Sequence, residues 1–119
     1  ALNQRSKSRY DLGGAPSRSL PSEVLGHARL TDLNAGRTYP LTKPLVVIGR
    51  EDGCDIKLVD ANVSRKHAQL TQDVTGTWKV TDLGSTNGSK LNGSPVTKAL
   101  LCDGDVIIIG ITTLEFRES

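Results

Sequence analysis

At 119 residues the chain suits a single domain, and with only 3% aromatic residues it must build its core from aliphatic side chains. Lys and Arg exceed Asp and Glu by two, but the surplus lies in the first 26 residues; beyond them eleven basic residues face eleven acidic ones. So balanced a domain lacks the broad basic face of a general polyanion binder, and its longest apolar runs, LVVIG and VIIIG, are far too short to span a bilayer.

Residues 1–23 are rich in Ser, Arg, Gly and Pro and poor in large apolar residues, which predicts a disordered tail or linker. From residue 24 to 119 the texture changes. Short apolar or alternating runs are separated by turn residues every eight to twelve positions, the pattern of an all-β sandwich or barrel. HARLTDL and RTYPL read as a hairpin joined at Asn34-Ala35-Gly36, with Pro40 confining the second strand to an edge or its end. LVVIGR is a short buried strand closed by Gly49, and DIKLV follows the turn Asp52-Gly53. In HAQLT, Ala68 and Leu70 share a face. In TWKVTDL, Trp78 and Val80 do the same, and Asp82 falls on that apolar face, so the strand is expected to end or bulge there. DVIIIG and TTLEF complete the set. A helix over 55–75 is the rival reading, but Lys66 interrupts its apolar stripe, and the alternation of Ile56 with Leu58 and of Ala68 with Leu70 fits strands better.

Three loops hold the unusual polar chemistry. IGREDGCD places Arg50 directly after a buried strand and a glycine; the plain alternative is a solvated arginine paired with Glu51 or Asp52. NVSRKHAQL groups the hydroxyl of Ser64, the fixed donor fork of Arg65, the point charge of Lys66 and the imidazole of His67. DLGSTNGSKLNG carries two Asn-Gly turn signals, Asn87-Gly88 and Asn92-Gly93, with Ser85 and Thr86 ahead of the first; the plain alternative is two successive hairpins. Enzyme readings are weak. GSTNGSK lacks P-loop glycine spacing, a Ser64–His67 pair has no orienting carboxylate nearby in sequence, and CDGD reads as a turn. Cys54, Cys102, His27 and His67 form no metal-type spacing, so no metal or cofactor is expected. No charged-then-apolar leader opens the chain, so free thiols and a cytoplasmic location are expected.

Taken in order, Gly49-Arg50, Ser64-Arg65-x-His67, Gly84-Ser85-Thr86-Asn87-Gly88 and Asn92-Gly93 resemble the forkhead-associated (FHA) domain, over about residues 27–119. The resemblance implies a β-sandwich of two antiparallel sheets and about eleven strands, whose loops at one end bind phosphothreonine in a partner protein. By position it implies phosphate contacts from Arg50, Ser64, Thr86 and, secondarily, Arg65. It places Asn87 on the partner's main chain and Asn62 where neighbouring peptide positions are selected. It makes Gly49, His67 and Gly88 structural supports of the site. Ser89 departs mildly from the family's commoner threonine. The implied role is a monomeric, non-enzymatic adaptor in Ser/Thr kinase signalling, with a kinase or its substrate as partner. A nucleic-acid or polyanion binder using Arg50, Arg65, Lys66 and the basic tail is the alternative. The tail holds no threonine before residue 31, so folding a tail phosphothreonine into the pocket is not expected.

Overall fold

Apolar residues at every second position bury one face of each long strand. The computed structural model describes residues 28–118; the predicted tail over 1–23 lies outside them. Eleven strands run in chain order: β1 (Arg29–Asp32), β2 (Arg37–Pro40), β3 (Leu45–Gly49), β4 (Ile56–Lys57), β5 (Ala68–Gln72), β6 (Trp78–Asp82), β7 (Ser89–Leu91), β8 (Ser94–Val96), β9 (Lys98–Leu100), β10 (Val106–Ile109) and β11 (Thr112–Arg117). They form a six-stranded sheet ordered β2-β1-β11-β10-β7-β8 and a five-stranded sheet ordered β4-β3-β5-β6-β9. Residues 55–75 hold β4, a loop and β5, and no helix. Among the described residues no helix is long and apolar enough to cross a membrane.

The two inner faces meet in one core. Leu30, Ile107, Ile109, Leu114 and Phe116 come from the larger sheet; Val46, Ile48, Ala68, Leu70, Trp78 and Val80 come from the smaller. In the run of three isoleucines in β10, Ile107 and Ile109 enter the core and Ile108 is half-buried on the opposite face. Pro40 ends β2, an edge strand, where a missing N–H leaves no ladder bond unmade.

Two details differ from the sequence pattern. The expected strand DIKLV shrinks to Ile56–Lys57 and pairs parallel with β3, whereas the other pairings are antiparallel. A parallel partner ordinarily needs a long crossover. Here residues 50–55 suffice because only Ile48↔Ile56 and Gly49↔Lys57 pair, with Leu58 N–H then donating to Gly49 C=O at 2.8 Å. The two Asn-Gly pairs also part company. Asn92 (φ 50°) and Gly93 (φ 89°) both take left-handed conformations and close the β7–β8 hairpin, as a primed turn requires. Asn87-Gly88 closes no hairpin; it carries the chain from β6 in one sheet to β7 in the other.

Leu70 lies mid-strand in β5 and is fully buried between β3 and β6. Leu70→Ala should therefore lower unfolding free energy by about 2–5 kcal/mol, measured by urea denaturation followed through the single tryptophan, Trp78.

Candidate functional site

The end of β3 and the loop before β5 run side by side at close quarters. Arg50 N–H donates to Ser64 C=O at 3.1 Å and Glu51 N–H to Arg65 C=O at 3.3 Å. A Cβ on residue 49 would overlap the Arg65 carbonyl oxygen and lie 2.9 Å from Cys54 Sγ, so only glycine lets the two backbones approach. Cys54 contributes from the other side, its Sγ–H donating to Arg65 C=O at 3.2 Å. Burial pushes the Cys54 thiol pKa up, so the thiol is a packing donor and not an activated nucleophile.

The Arg50 guanidinium stays at the exposed rim. Its Nε–H donates to Val63 C=O at 2.9 Å, which fixes the direction of the fork. The acids that could have neutralised it are engaged elsewhere: Glu51 lies 3.7 Å from Lys66 Nζ, and Asp52 pairs with Lys57. Lys66 thus acts as a counter-charge on the rim.

His67 is completely buried just before β5. Its Nδ1 accepts the Ser64 N–H at 3.1 Å, and its Nε2–H donates to Gly88 C=O at 2.8 Å. The acceptor role of Nδ1 assigns the Nε2–H tautomer. One ring therefore joins the 58–67 loop to the 83–88 loop. Three further bonds cross between those loops: Leu83 N–H donates to His67 C=O at 2.9 Å, Thr86 N–H to Ser64 Oγ at 3.1 Å, and Asn87 Nδ2–H to Asn62 C=O at 2.9 Å. With its oxygen accepting from Thr86, the Ser64 hydroxyl keeps its one O–H as a donor for a ligand.

Asp82, the carboxylate on the apolar face of β6, organises the third loop. Its Oδ1 accepts Ser85 Oγ–H at 2.6 Å and Ser89 Oγ–H at 2.7 Å; its Oδ2 accepts the N–H groups of Gly84 at 3.0 Å and Ser85 at 2.9 Å. Burial pushes its pKa up, but the bonds from Ser85 and Ser89 outweigh burial and hold it below the ordinary carboxylate value. Sequence pattern marked Asp82 only as a strand end. The signal that could have revealed more is its spacing to Ser85 and Ser89, two hydroxyls within reach of one turn.

The site residues read from sequence thus converge unevenly. Arg50, Ser64, Thr86 and Asn87 come together across three loops, and Gly49, His67 and Gly88 lie beneath them. Asn62 and Arg65 enter through their backbone carbonyls; the exposed Arg65 guanidinium makes no ion pair with the described residues. Among the described residues no group of three or more His, Cys, Asp or Glu could hold a metal ion. The assembled surface is a small rim with the exposed guanidiniums of Arg50 and Arg65, the Ser64 hydroxyl and the Asn87 carboxamide, suited to a compact anion attached to a polypeptide.

A family model for the FHA domain matches residues 46–110. The chain belongs to the FHA domain family. It is 41% identical over 83 residues to the glycogen accumulation regulator GarA of Mycolicibacterium smegmatis, covering 70% of this chain and 52% of GarA. A solved FHA domain described for phosphothreonine-dependent interactions superposes with a TM-score of 0.72 at 36% identity, over 77% of this chain and 96% of that one. Mycobacterium tuberculosis EmbR, solved with a low-affinity phosphopeptide, superposes with a TM-score of 0.80 at 32% identity, over 96% of this chain and 30% of EmbR. The chain spans about half the length of the curated relatives GarA and a corynebacterial oxoglutarate dehydrogenase inhibitor.

In this FHA domain the Asp82 bonds are stronger to the carboxylate than to the carboxylic acid. The unfolded chain therefore takes up the proton first as pH falls. The stabilisation is complete at neutral pH and is lost on descending through the carboxylate range. Asp82→Asn should lower stability at pH 7 by about 1–3 kcal/mol and flatten the acid limb of the stability profile, as followed by thermal melts from pH 7 to 3. An unchanged acid limb would remove Asp82 from this role.

Proposed function

We propose that this chain is a phosphothreonine-dependent interaction module, an FHA domain spanning roughly residues 24–119 that acts as an adaptor in Ser/Thr kinase signalling. The observation that carries the reading is Arg50: an exposed guanidinium held by Val63 C=O, with its neighbouring acids Glu51 and Asp52 paired to other cations, next to the loop that bears Ser64.

A phosphate monoester brings about −1.5 to −2 charge and three acceptor oxygens. Arg50 supplies the charge and paired donors. Ser64 Oγ–H, oriented by Thr86 N–H, and the Thr86 hydroxyl supply the remaining bonds, with Arg65 as a secondary contact. Asn87, tied to Asn62 C=O through one amide hydrogen, keeps its oxygen and its other hydrogen for the partner's main chain, while Asn62 borders the neighbouring peptide positions. Charge-assisted bonds of this kind are worth roughly 1.5–3 kcal/mol each, and association costs offset much of their sum, so affinity near micromolar, about −8 kcal/mol, is expected. The partner is a phosphothreonine-containing protein, a Ser/Thr kinase or its substrate, and the setting is the cytoplasm. The balance of charge from residue 27 onward supports a local anion site over a nucleic-acid surface. The regulator role in the name of GarA supports a non-enzymatic one.

Wild type should bind a phosphothreonine peptide library far more tightly than its unphosphorylated counterpart or duplex DNA in fluorescence anisotropy. Arg50→Ala should weaken phosphopeptide binding roughly ten- to hundredfold without lowering the melting temperature. Equal binding by the variant, or DNA binding as tight as phosphopeptide binding, would overturn the reading.

A further inference from the structure

Asp60, in the loop between β4 and β5, faces two ways. Its Oδ1 accepts the Asn62 N–H at 2.9 Å; its Oδ2 accepts the Ile111 N–H at 2.9 Å. Ile111 sits in the turn between β10 and β11, on the other sheet. The turn is seated closely: Gly110 has φ 63°, and a Cβ there would overlap the Asp60 carboxylate and approach Val63 Cγ2 to 2.7 Å. The bonds from Ile111 and Asn62 hold the Asp60 carboxyl below its ordinary pKa, so it is ionised and accepts on both oxygens at neutral pH.

The Asn62 carbonyl is also the acceptor for Asn87 Nδ2–H at 2.9 Å. A continuous chain of bonds therefore runs from the β10–β11 turn through the Asp60 carboxylate and the Asn62 backbone to the Asn87 carboxamide. Asn87 is exposed, and without that last bond its carboxamide would rotate freely. We propose that Asp60 is a positioning residue for peptide recognition: it transmits the fixed position of the β10–β11 turn to the Asn87 carboxamide, and so governs binding of the peptide main chain but not of the phosphate. The inference rests on the phosphopeptide reading for its ligand, but its geometric core can be tested without one.

Asp60→Asn keeps the shape and loses one of the two acceptors. In the unliganded protein, the side-chain amide resonances of Asn87 should shift and broaden in Asp60→Asn. Phosphopeptide affinity should fall roughly tenfold, the effect of one mis-set hydrogen bond, while affinity for free phosphothreonine, which engages the phosphate contacts Arg50, Ser64, Thr86 and Arg65 and not Asn87, should stay within about twofold. In an Asn87→Ala background, Asp60→Asn should add almost nothing, since residues acting through one another are not additive. Gly110→Ala, which crowds the carboxylate from the far side, should reproduce the same pattern. Unshifted Asn87 resonances, additive losses, or equal weakening of peptide and free phosphothreonine would each overturn the proposal. If wild type bound phosphorylated and unphosphorylated peptides alike, the phosphopeptide reading would fail, and the Asn87 resonances would still decide whether the clamp exists.

Discussion

The buried imidazole of His67 is the joint on which the binding end depends. It accepts from the loop that bears Ser64 and donates to the loop that bears Thr86 and Asn87. Neither loop has a regular ladder to hold it, and a buried polar group left unpartnered is costly, so both loops are compelled to stay in contact with the ring. Gly49 completes the arrangement by letting the end of β3 lie against residues 64–65. Two backbones and one ring thus fix three loops, and the rim side chains inherit their positions from groups that never reach the surface.

The charge pattern follows the same logic. Acids near the rim are occupied before any ligand arrives: Glu51 by Lys66, Asp52 by Lys57, Asp60 by the N–H groups of Asn62 and of Ile111 across the sandwich, and Asp82 by N–H and O–H donors of Gly84, Ser85 and Ser89. Asp82 and Asp60 are therefore carboxylates in service to backbone geometry. What remains at the rim without an acidic partner among the described residues is a pair of exposed cations, Arg50 and Arg65. A domain of nearly zero net charge can in this way present a strongly localised anion site, because field strength at a rim depends on which charges are paired and not on how many are present.

Much of the fold was legible because its cause is local. Alternation in β5, β6 and β11 reports a buried and a solvated face on one strand, and the structure buries those same residues. The Asn92-Gly93 hairpin was equally readable, since the turn type is set by two backbone angles. Other features were not. Nothing in DIKLV says that it pairs parallel over two residues only, because pairing direction depends on where the preceding loop delivers the chain. Asn87-Gly88 carries the same dipeptide signal as Asn92-Gly93 yet passes between sheets, because Asp82 and His67 hold that loop by long-range bonds instead of letting its flanks pair.

Taken by itself, the sequence determined which residues carry the chemistry: an arginine after a strand-ending glycine, a Ser-Arg-x-His cluster and a Ser-Thr-Asn-Gly turn, in an order specific enough to point to one family and its ligand. Residue type and order are enough for that, since donors, charges and permitted backbone angles belong to individual residues. Only the tertiary structure decided which charges are free and which are used. Arg50 could have paired with Glu51 or Asp52, and Asp60 could have been an ordinary turn acid. Those outcomes were settled by distances between residues 5 to 51 positions apart, and hydrogen-bond energy depends on such distances in space, not on separation along the chain.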